Sequence, residues 1–198
     1  LSLVFETGAF FRQYEWNKFF FGSVWRPDFR GNSDLGFLPL LWGTLYVSAI
    51  ALAVAVPIGL FAAIYMSEYA SPRLRSFAKP AIELLAGIPT IVYGLFALIT
   101  IGPLLRDWIA SPMGLGQSGA SVMTAGLVMG VMIIPFVSSL SDDIINAVPQ
   151  SLRDGSLGLG ATPSETIRSV VLPAALPGIV GAILLAASRA IGETMIVV

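Results

Sequence analysis

Four long stretches of the chain contain no Asp, Glu, Lys or Arg: residues 35–67, 84–105, 108–141 and 169–188. Together they make up more than half of the 198 residues. A bilayer core of about 30 Å needs roughly 20 apolar helical residues, and only helices or closed barrels satisfy the backbone there. The pattern predicts four membrane helices: Leu38 to Met66 with a kink at Pro57, Pro80 to Leu105, Gly119 to Leu140, and Ala174 to the end of the sequence. None of them alternates with period two, as a barrel strand would. The expected fold class is an all-α polytopic membrane protein.

The polar segments between these runs read as connections. Residues 1–35 mix aromatics (Phe10, Phe11, Tyr14, Trp16, Phe19, Phe20, Phe21, Trp25) with charges of both signs, as expected of a segment lying at a membrane surface. Ser67–Lys79 reads as a short loop turning at Ser71-Pro72, Arg106–Ser118 as another, and Ser141–Pro173 as a long polar connection with helix-start signals. Arg73, Arg75 and Lys79 lie in the first loop and Arg153 and Arg168 in the third, against Arg106 alone in the second. By the positive-inside rule the first and third loops are cytoplasmic. Arg12, Lys18, Arg26 and Arg30 argue weakly the other way, but they are spread among four acids in a longer segment.

Composition then narrows the chemistry. A content of 56% hydrophobic and 12% charged residues does not describe a soluble domain of this length. With no Cys and no His there is no thiolate or imidazole metal site, no disulfide and no nucleophile activated by either residue. A net charge of −1 gives no footprint for nucleic acid. Neither Lys18 nor Lys79 follows a Gly, so the chain has no phosphate-binding P-loop of its own. The run Gly114-Leu115-Gly116-Gln117-Ser118-Gly119, with Asp142 beyond it, fits a dinucleotide fingerprint in spacing only, since Pro112 rather than a strand precedes it. Gly126 and Gly130 make a small-xxx-small face, which marks close helix packing.

Against so apolar a background a few polar positions stand out. Counted from Pro177, Arg189 lies about 18 Å into the fourth helix, where insertion costs on the order of 2.5–3.5 kcal/mol and the side chain should face a bundle interior or a water-filled path. Glu193, four residues on, shares its helix face and can pair with it. The pair could serve substrate passage or simply lock two helices together. Glu83, before the second charge-free run, reads more simply as an interfacial residue in water. Gly87 and Pro89 are expected to bend the second helix.

The third loop carries the most specific pattern. Asp154-Gly155-Ser156 is followed after three residues by Gly160 and after nine more by Val170-Val171-Leu172-Pro173. A helix ended by Gly160 and a second one begun near Thr162-Pro163, with Glu165 in its first turn, would make a compact helical knob. The pattern resembles the EAA loop of ABC importer permeases, with Asp-Gly-Ser in place of Glu-Ala-Ala and Val170 in place of Ile. Leu41-Trp42-Gly43-Thr44-Leu45, Ser67-Glu68-Tyr69-Ala70, Pro72-Arg73-Leu74-Arg75, Glu83-Leu84-Leu85-Ala86-Gly87-Ile88-Pro89, Val92-Tyr93-Gly94 and Arg189-Ala190-Ile191-Gly192-Glu193-Thr194-Met195 extend the resemblance along the whole chain. Together they are similar to the permeases of phosphate-specific importers, of the PstC type.

The resemblance implies a MetI-like helix bundle, here a fragment that lacks terminal helices. It implies an external aromatic-rich segment at 1–35 and a permease domain at 36–198 with a cytoplasmic EAA-type loop at 142–173. Arg189 and Glu193 would line the phosphate path, and Asp154, Gly160, Glu165, Leu172 and Pro173 would belong to the loop that couples to an ATPase. The implied partners are a related second permease, a cytoplasmic ATPase dimer, an external phosphate-binding protein and membrane lipid. The chain itself would bind no cofactor and catalyse no reaction, ATP being used by the partner subunits. The nearest alternatives are the sister permease of the same importer and a permease for another oxyanion. An intramembrane hydrolase or a channel lacks support, since no base is present to activate a Ser and no polar stretch to form a pore ring.

Overall fold

A computed structural model describes residues 2–26, 34–112, 114 and 122–193. The chain forms two units, Leu1–Tyr46 and Val47–Val198. In the first, helices α1 (Ser2–Gln13) and α2 (Trp16–Phe21) precede a minimal antiparallel pair in which Trp25 faces Leu35 and Arg26 faces Asp34. The rings of Phe10, Phe11, Tyr14, Phe19, Phe20 and Phe37 pack with centroids 5.2–6.3 Å apart. Edge-to-face contacts among them add to the apolar burial. The Leu35 amide donates to the Tyr14 hydroxyl at 2.9 Å.

The remaining helices are α3 (Leu38–Tyr69), α4 (Pro72–Ala86), α5 (Thr90–Trp108), α6 (Val122–Asn146), α7 (Gln150–Gly158) and α8 (Pro163–Gly192). Of these, α3, α5, α6 and α8 are long and apolar enough to cross a membrane. Val47, Ala51, Ala55, Gly59 and Ala63 recur every fourth residue along α3 and are all buried, so one stripe of small side chains faces the bundle. On α6 the Gly126–Gly130 face meets that stripe. A Cβ on Gly126 would stand 2.7 Å from the Ile50 Cγ2 atom, and one on Gly130 would stand 3.1 Å from the Ala51 carbonyl oxygen. Met129, Met132, Ile133 and Val137 fill the space beside them, and Ala186 and Ala190 of α8 close this core. Ala63, Ile145, Val148, Val171, Ala175 and Ile179 form a second core where α3, α6 and α8 meet.

Several expected boundaries move. The second helix, expected to run unbroken from Pro80 to Leu105, is two helices. α4 ends at Ala86 and α5 restarts at Thr90, with Gly87-Ile88-Pro89 between them. Pro89 has no amide to continue the helical ladder, and the Leu85 carbonyl accepts from the Ile88 amide at 3.3 Å and from the Tyr93 hydroxyl at 3.0 Å. The expected bend is therefore a full break. The predicted loop Ser67–Lys79 is mostly helix, because Ser71 accepts from the Leu74 amide at 3.3 Å and Pro72 occupies the first turn, a strong start signal. α5 likewise runs on past Arg106, whose charge pairs with Asp107 at 2.9 Å without ending the helix.

The fourth span starts at Pro163 rather than Ala174. Thr162 and Glu165 close a capping box there, and the helix then passes through Pro173 without a break. Wide turns at Ile167–Val171, in which the Leu172 amide reaches back to the Ile167 carbonyl, lie just ahead of Pro173. α6 runs beyond Leu140 to Asn146, while its expected start at Gly119 and the glycine-rich run 115–119 lie outside the described residues, as does the expected continuation of α8 through 194–198. Pro57 is likewise contained within a continuous α3.

A polar knot joins α4 to α6. Asp142 is fully buried. Its carboxylate accepts from the Arg75 Nη2 atom at 3.2 Å through both oxygens, from Lys79 Nζ at 3.1 Å and from Asn146 Nδ2 at 2.9 Å. Lys79 also donates to Asp143 at 2.6 Å. That hydrogen bond, helped by the one to Asp142 and opposed by partial desolvation, holds the Lys79 ammonium above its ordinary value of 10.5. Since the folded-state value is the higher one, the stabilisation is present in full below pH 10.5 and is lost only as pH climbs through the raised value.

Two outcomes test this packing. Gly126→Leu should lower stability by about 1–3 kcal/mol by overpacking against Ile50, read as an earlier loss of monodisperse protein on heating in detergent. Asp142→Ala leaves Arg75 and Lys79 without their shared counter-charge. Breaking a buried pair from one side costs about 3–5 kcal/mol, and we expect on the order of 2 kcal/mol here because both cations keep about a third of their side-chain surface in solvent. The same heating experiment, with Asp142→Asn as the milder comparison, measures it.

Candidate functional site

Arg189 stands in the last turn of α8, beside the buried Ala186 and Ala190. Its guanidinium lies over the Phe136 ring at 5.4 Å from the centroid, and its Nε is 3.5 Å from Glu193 Oε1. Glu193 is not a further helical residue, as expected, but the cap of the helix, with φ −81° and ψ 69°. Its amide bonds back to the Arg189 carbonyl at 3.1 Å. That geometry still brings the two side chains together, and it turns the second carboxylate oxygen toward Thr90, whose hydroxyl donates at 3.1 Å.

Three helices therefore build the site: Thr90 opens α5, Phe136 comes from α6, and Arg189 and Glu193 come from the end of α8. The two charged side chains are 32% and 18% exposed, so both are drawn in from solvent without being sealed. Among the described residues the closest approach of Arg189 to a carboxylate is through Nε, and its Nη atoms donate no hydrogen bond. The aromatic face beneath the guanidinium favours the cation and limits its swing.

Depth is set differently from the expectation. Arg189 lies about 18 Å along α8 from Pro177, as counted, but the helix starts earlier, at Pro163, about 39 Å away. Its level is better judged from Phe136, which is about 15 Å from the end of α6 at Asn146 and near the middle of that span. A guanidinium at that level needs the partners it has.

The loop residues form a separate group at the other end of α8. Asp154 is exposed on α7 and accepts from Gln150 at 3.0 Å. Gly160 has φ 91°, the left-handed conformation that glycine takes at little cost, and ends α7. Glu165 accepts from the Thr162 amide at 2.8 Å and from its hydroxyl at 2.7 Å. Leu172 packs on the second core while Pro173 is exposed. Pro173 and Glu193 are separated by about 30 Å of helix, so the two groups of candidate residues are distinct sites on one element.

Sequence reasoning missed Thr90 and Phe136 at the Arg189 site. In the sequence Pro89 marks only a bend in the second helix, nothing there places Thr90 beside Glu193, and Phe136 is one aromatic among many. It also treated Arg75, Lys79 and Arg153 only as markers of topology, and Asp142 only as part of a rejected fingerprint. Residues Thr194 and Met195 of the C-terminal motif lie outside the described residues.

The chain is 40% identical to the phosphate transport system permease protein PstC of Haemophilus influenzae, over 98% of this chain and 65% of that protein. It is 37% identical to the probable ABC transporter permease protein YqgH of Bacillus subtilis, over 87% of this chain and 54% of that protein. The chain thus spans between half and two thirds of the length of these curated relatives. Two solved structures share its fold. One is the MetNI methionine ABC transporter in inward-facing conformations, at a TM-score of 0.58 and 21% identity over 78% of this chain and 69% of that one. The other is an amino acid ABC transporter with histidines, at 0.60 and 22% over 81% and 72%. Residues 55–198 match the family described as binding-protein-dependent transport system inner membrane component. With its MetI-like helical fold and four apolar spans, the chain belongs to that family of multi-pass bacterial inner-membrane permeases.

Proposed function

We propose that this chain is the PstC-type permease subunit of an ATP-driven importer of inorganic phosphate. The observation that carries the reading is the Arg189 guanidinium, held at mid-span between Phe136 and Glu193 with its Nη fork free. The likeness to phosphate permeases supports the substrate. An arginine fork matches a tetrahedral oxyanion through paired, charge-assisted hydrogen bonds. Glu193 fixes the guanidinium and is itself fixed by Thr90. A protonated phosphate oxygen could donate to that carboxylate, whereas sulfate at neutral pH has no proton to offer.

The remaining parts of the reading are the partners. A related second permease would complete the path, an external phosphate-binding protein would deliver substrate, and a cytoplasmic ATPase dimer would bind and hydrolyse ATP, the chain itself binding no cofactor. The charge count of the loops favours a cytoplasmic Asp154–Pro173 hairpin, and its helix–Gly160–helix geometry suits docking into a cleft on that ATPase. The chain then acts by coupling: a fit that differs between two ATPase states biases the helices toward one packing or the other.

Arg189→Gln removes a charged hydrogen-bonding partner worth about 1.5–3 kcal/mol, so labelled-phosphate uptake by vesicles holding the assembled importer should fall by roughly 10- to 100-fold. Uptake near the wild-type rate would remove Arg189 from the path. Deleting Ser169 turns the loop end of α8 by about 100° relative to the rest of the helix and should abolish phosphate-stimulated ATP hydrolysis. A deletion variant that keeps this stimulation would sink the docking role of the hairpin.

A further inference from the structure

The helix that carries Asp154, α7, has no buried residue of its own. Leu152, Leu157 and Leu159 are all exposed. Apolar packing therefore does not fasten this helix to the bundle. Among the described residues two side-chain links leave it. One is a hydroxyl contact between Ser156 and Thr166 at 2.9 Å, inside the hairpin. The other is Arg153.

Arg153 reaches past the hairpin. Its Nη1 donates to both Glu68 oxygens at 2.7 and 2.8 Å, and its Nη2 donates to the Ile145 carbonyl at 3.0 Å. Glu68 lies in the closing turns of α3, and Ile145 in the last turn of α6, where its carbonyl also accepts from the Val148 amide at 3.3 Å. Arg153 and Glu68 are only 16% and 10% exposed. One guanidinium thus ties α7 to the ends of two membrane spans. Asn146, next to Ile145, bonds to Asp142, which holds Arg75 and Lys79, so the polar connection continues into α4.

We infer that Arg153 is the positioning residue through which displacement of α7 reaches the membrane helices. The inference rests on the importer reading above. A helix without buried apolar contacts can shift against the bundle unless a directional link holds it. The planar fork of arginine, engaged on two sides, resists both sliding and rotation, and a lysine cannot satisfy both acceptors in the same way. The joint sits directly above the core where Ile145, Ala63, Val171 and Ala175 meet, so its movement bears on α3, α6 and α8 at once.

The test uses the full importer in proteoliposomes, with inorganic phosphate as the probe and phosphate moved per ATP hydrolysed as the readout. Arg153→Gln should keep the ATPase subunits bound and hydrolysing while that ratio falls about tenfold. The exchange Glu68→Arg with Arg153→Glu restores the ion pair but not the bond to the Ile145 carbonyl, and should recover part of the loss. An unchanged ratio in Arg153→Gln overturns the inference, as does an assembled exchange variant that stays uncoupled. If neither variant assembles, Arg153 is a folding residue and the inference falls as well. Absence of phosphate uptake by the unmutated importer would instead overturn the substrate reading, and the two failures are thereby distinct.

Discussion

Lipid offers no hydrogen-bond partner, so the charges and helix ends taken into this bundle are matched within the protein, whereas the buried hydroxyls of Ser48, Ser67, Ser138 and Ser141 are not. That constraint accounts for most of what departs from plain helix packing. Where Pro89 interrupts the helix, the Leu85 carbonyl takes the Ile88 amide and the Tyr93 hydroxyl. Where α6 carries a carboxylate into full burial, α4 brings two cations to it. Where α8 ends, the carboxylate of its cap is claimed by Thr90 on one side and Arg189 on the other. In each case a broken or finishing helix is stitched to a neighbour, and the stitches define which helices move together. Apolar contact alone would not, because the small-residue stripe of α3 against Gly126 and Gly130 is close but carries no directional bond.

The molecule divides its polar chemistry between two levels. Near the ends of α3, α4 and α6 lies a layer of ionic contacts that includes Glu68, Arg75, Lys79, Asp142 and Arg153. About half a span away stands the smaller group around Arg189. The first group is closely satisfied: every charge in it has a partner at 3.2 Å or less. The second is looser, with an ion pair at 3.5 Å and a partly open fork. Close satisfaction suits a structural joint, and an incompletely used cation suits transient contact with an anion.

Much of this was legible in the sequence, for identifiable reasons. The four spans follow from charge-free runs, and the Gly126–Gly130 contact from small-residue spacing. The hairpin around Gly160 follows from a capping box and a residue able to take a positive φ. The helix boundaries were less legible. The fourth span was expected only from Ala174, beyond Pro173, yet α8 passes through that proline with wide turns just ahead of it. Ser67–Lys79 looked like a loop because it is charged, yet two of those charges face a buried acid across the bundle. The Arg189–Glu193 pairing could be read from spacing, whereas the Thr90 and Phe136 contacts depend on which helices become neighbours, and sequence separation says nothing of that. Arg153 was visible only as one more positive charge.

The unbroken course of α8 from Pro163 to Gly192 has a mechanical consequence. Its first turn is the base of the hairpin and its last turn carries Arg189, and the wide turns at Ile167–Val171 together with Pro173, Pro177, Gly178 and Gly181 are all contained in the continuous helix between them. Tilting as one body, such a helix would act as a lever: a tilt of about 5° at the hairpin would sweep the guanidinium sideways by about 3 Å over its 39 Å arm. That is about the length of one hydrogen bond, enough to make or break a contact with an anion. Events at the water-exposed base could in this way be felt at mid-membrane without any rearrangement inside the helix itself.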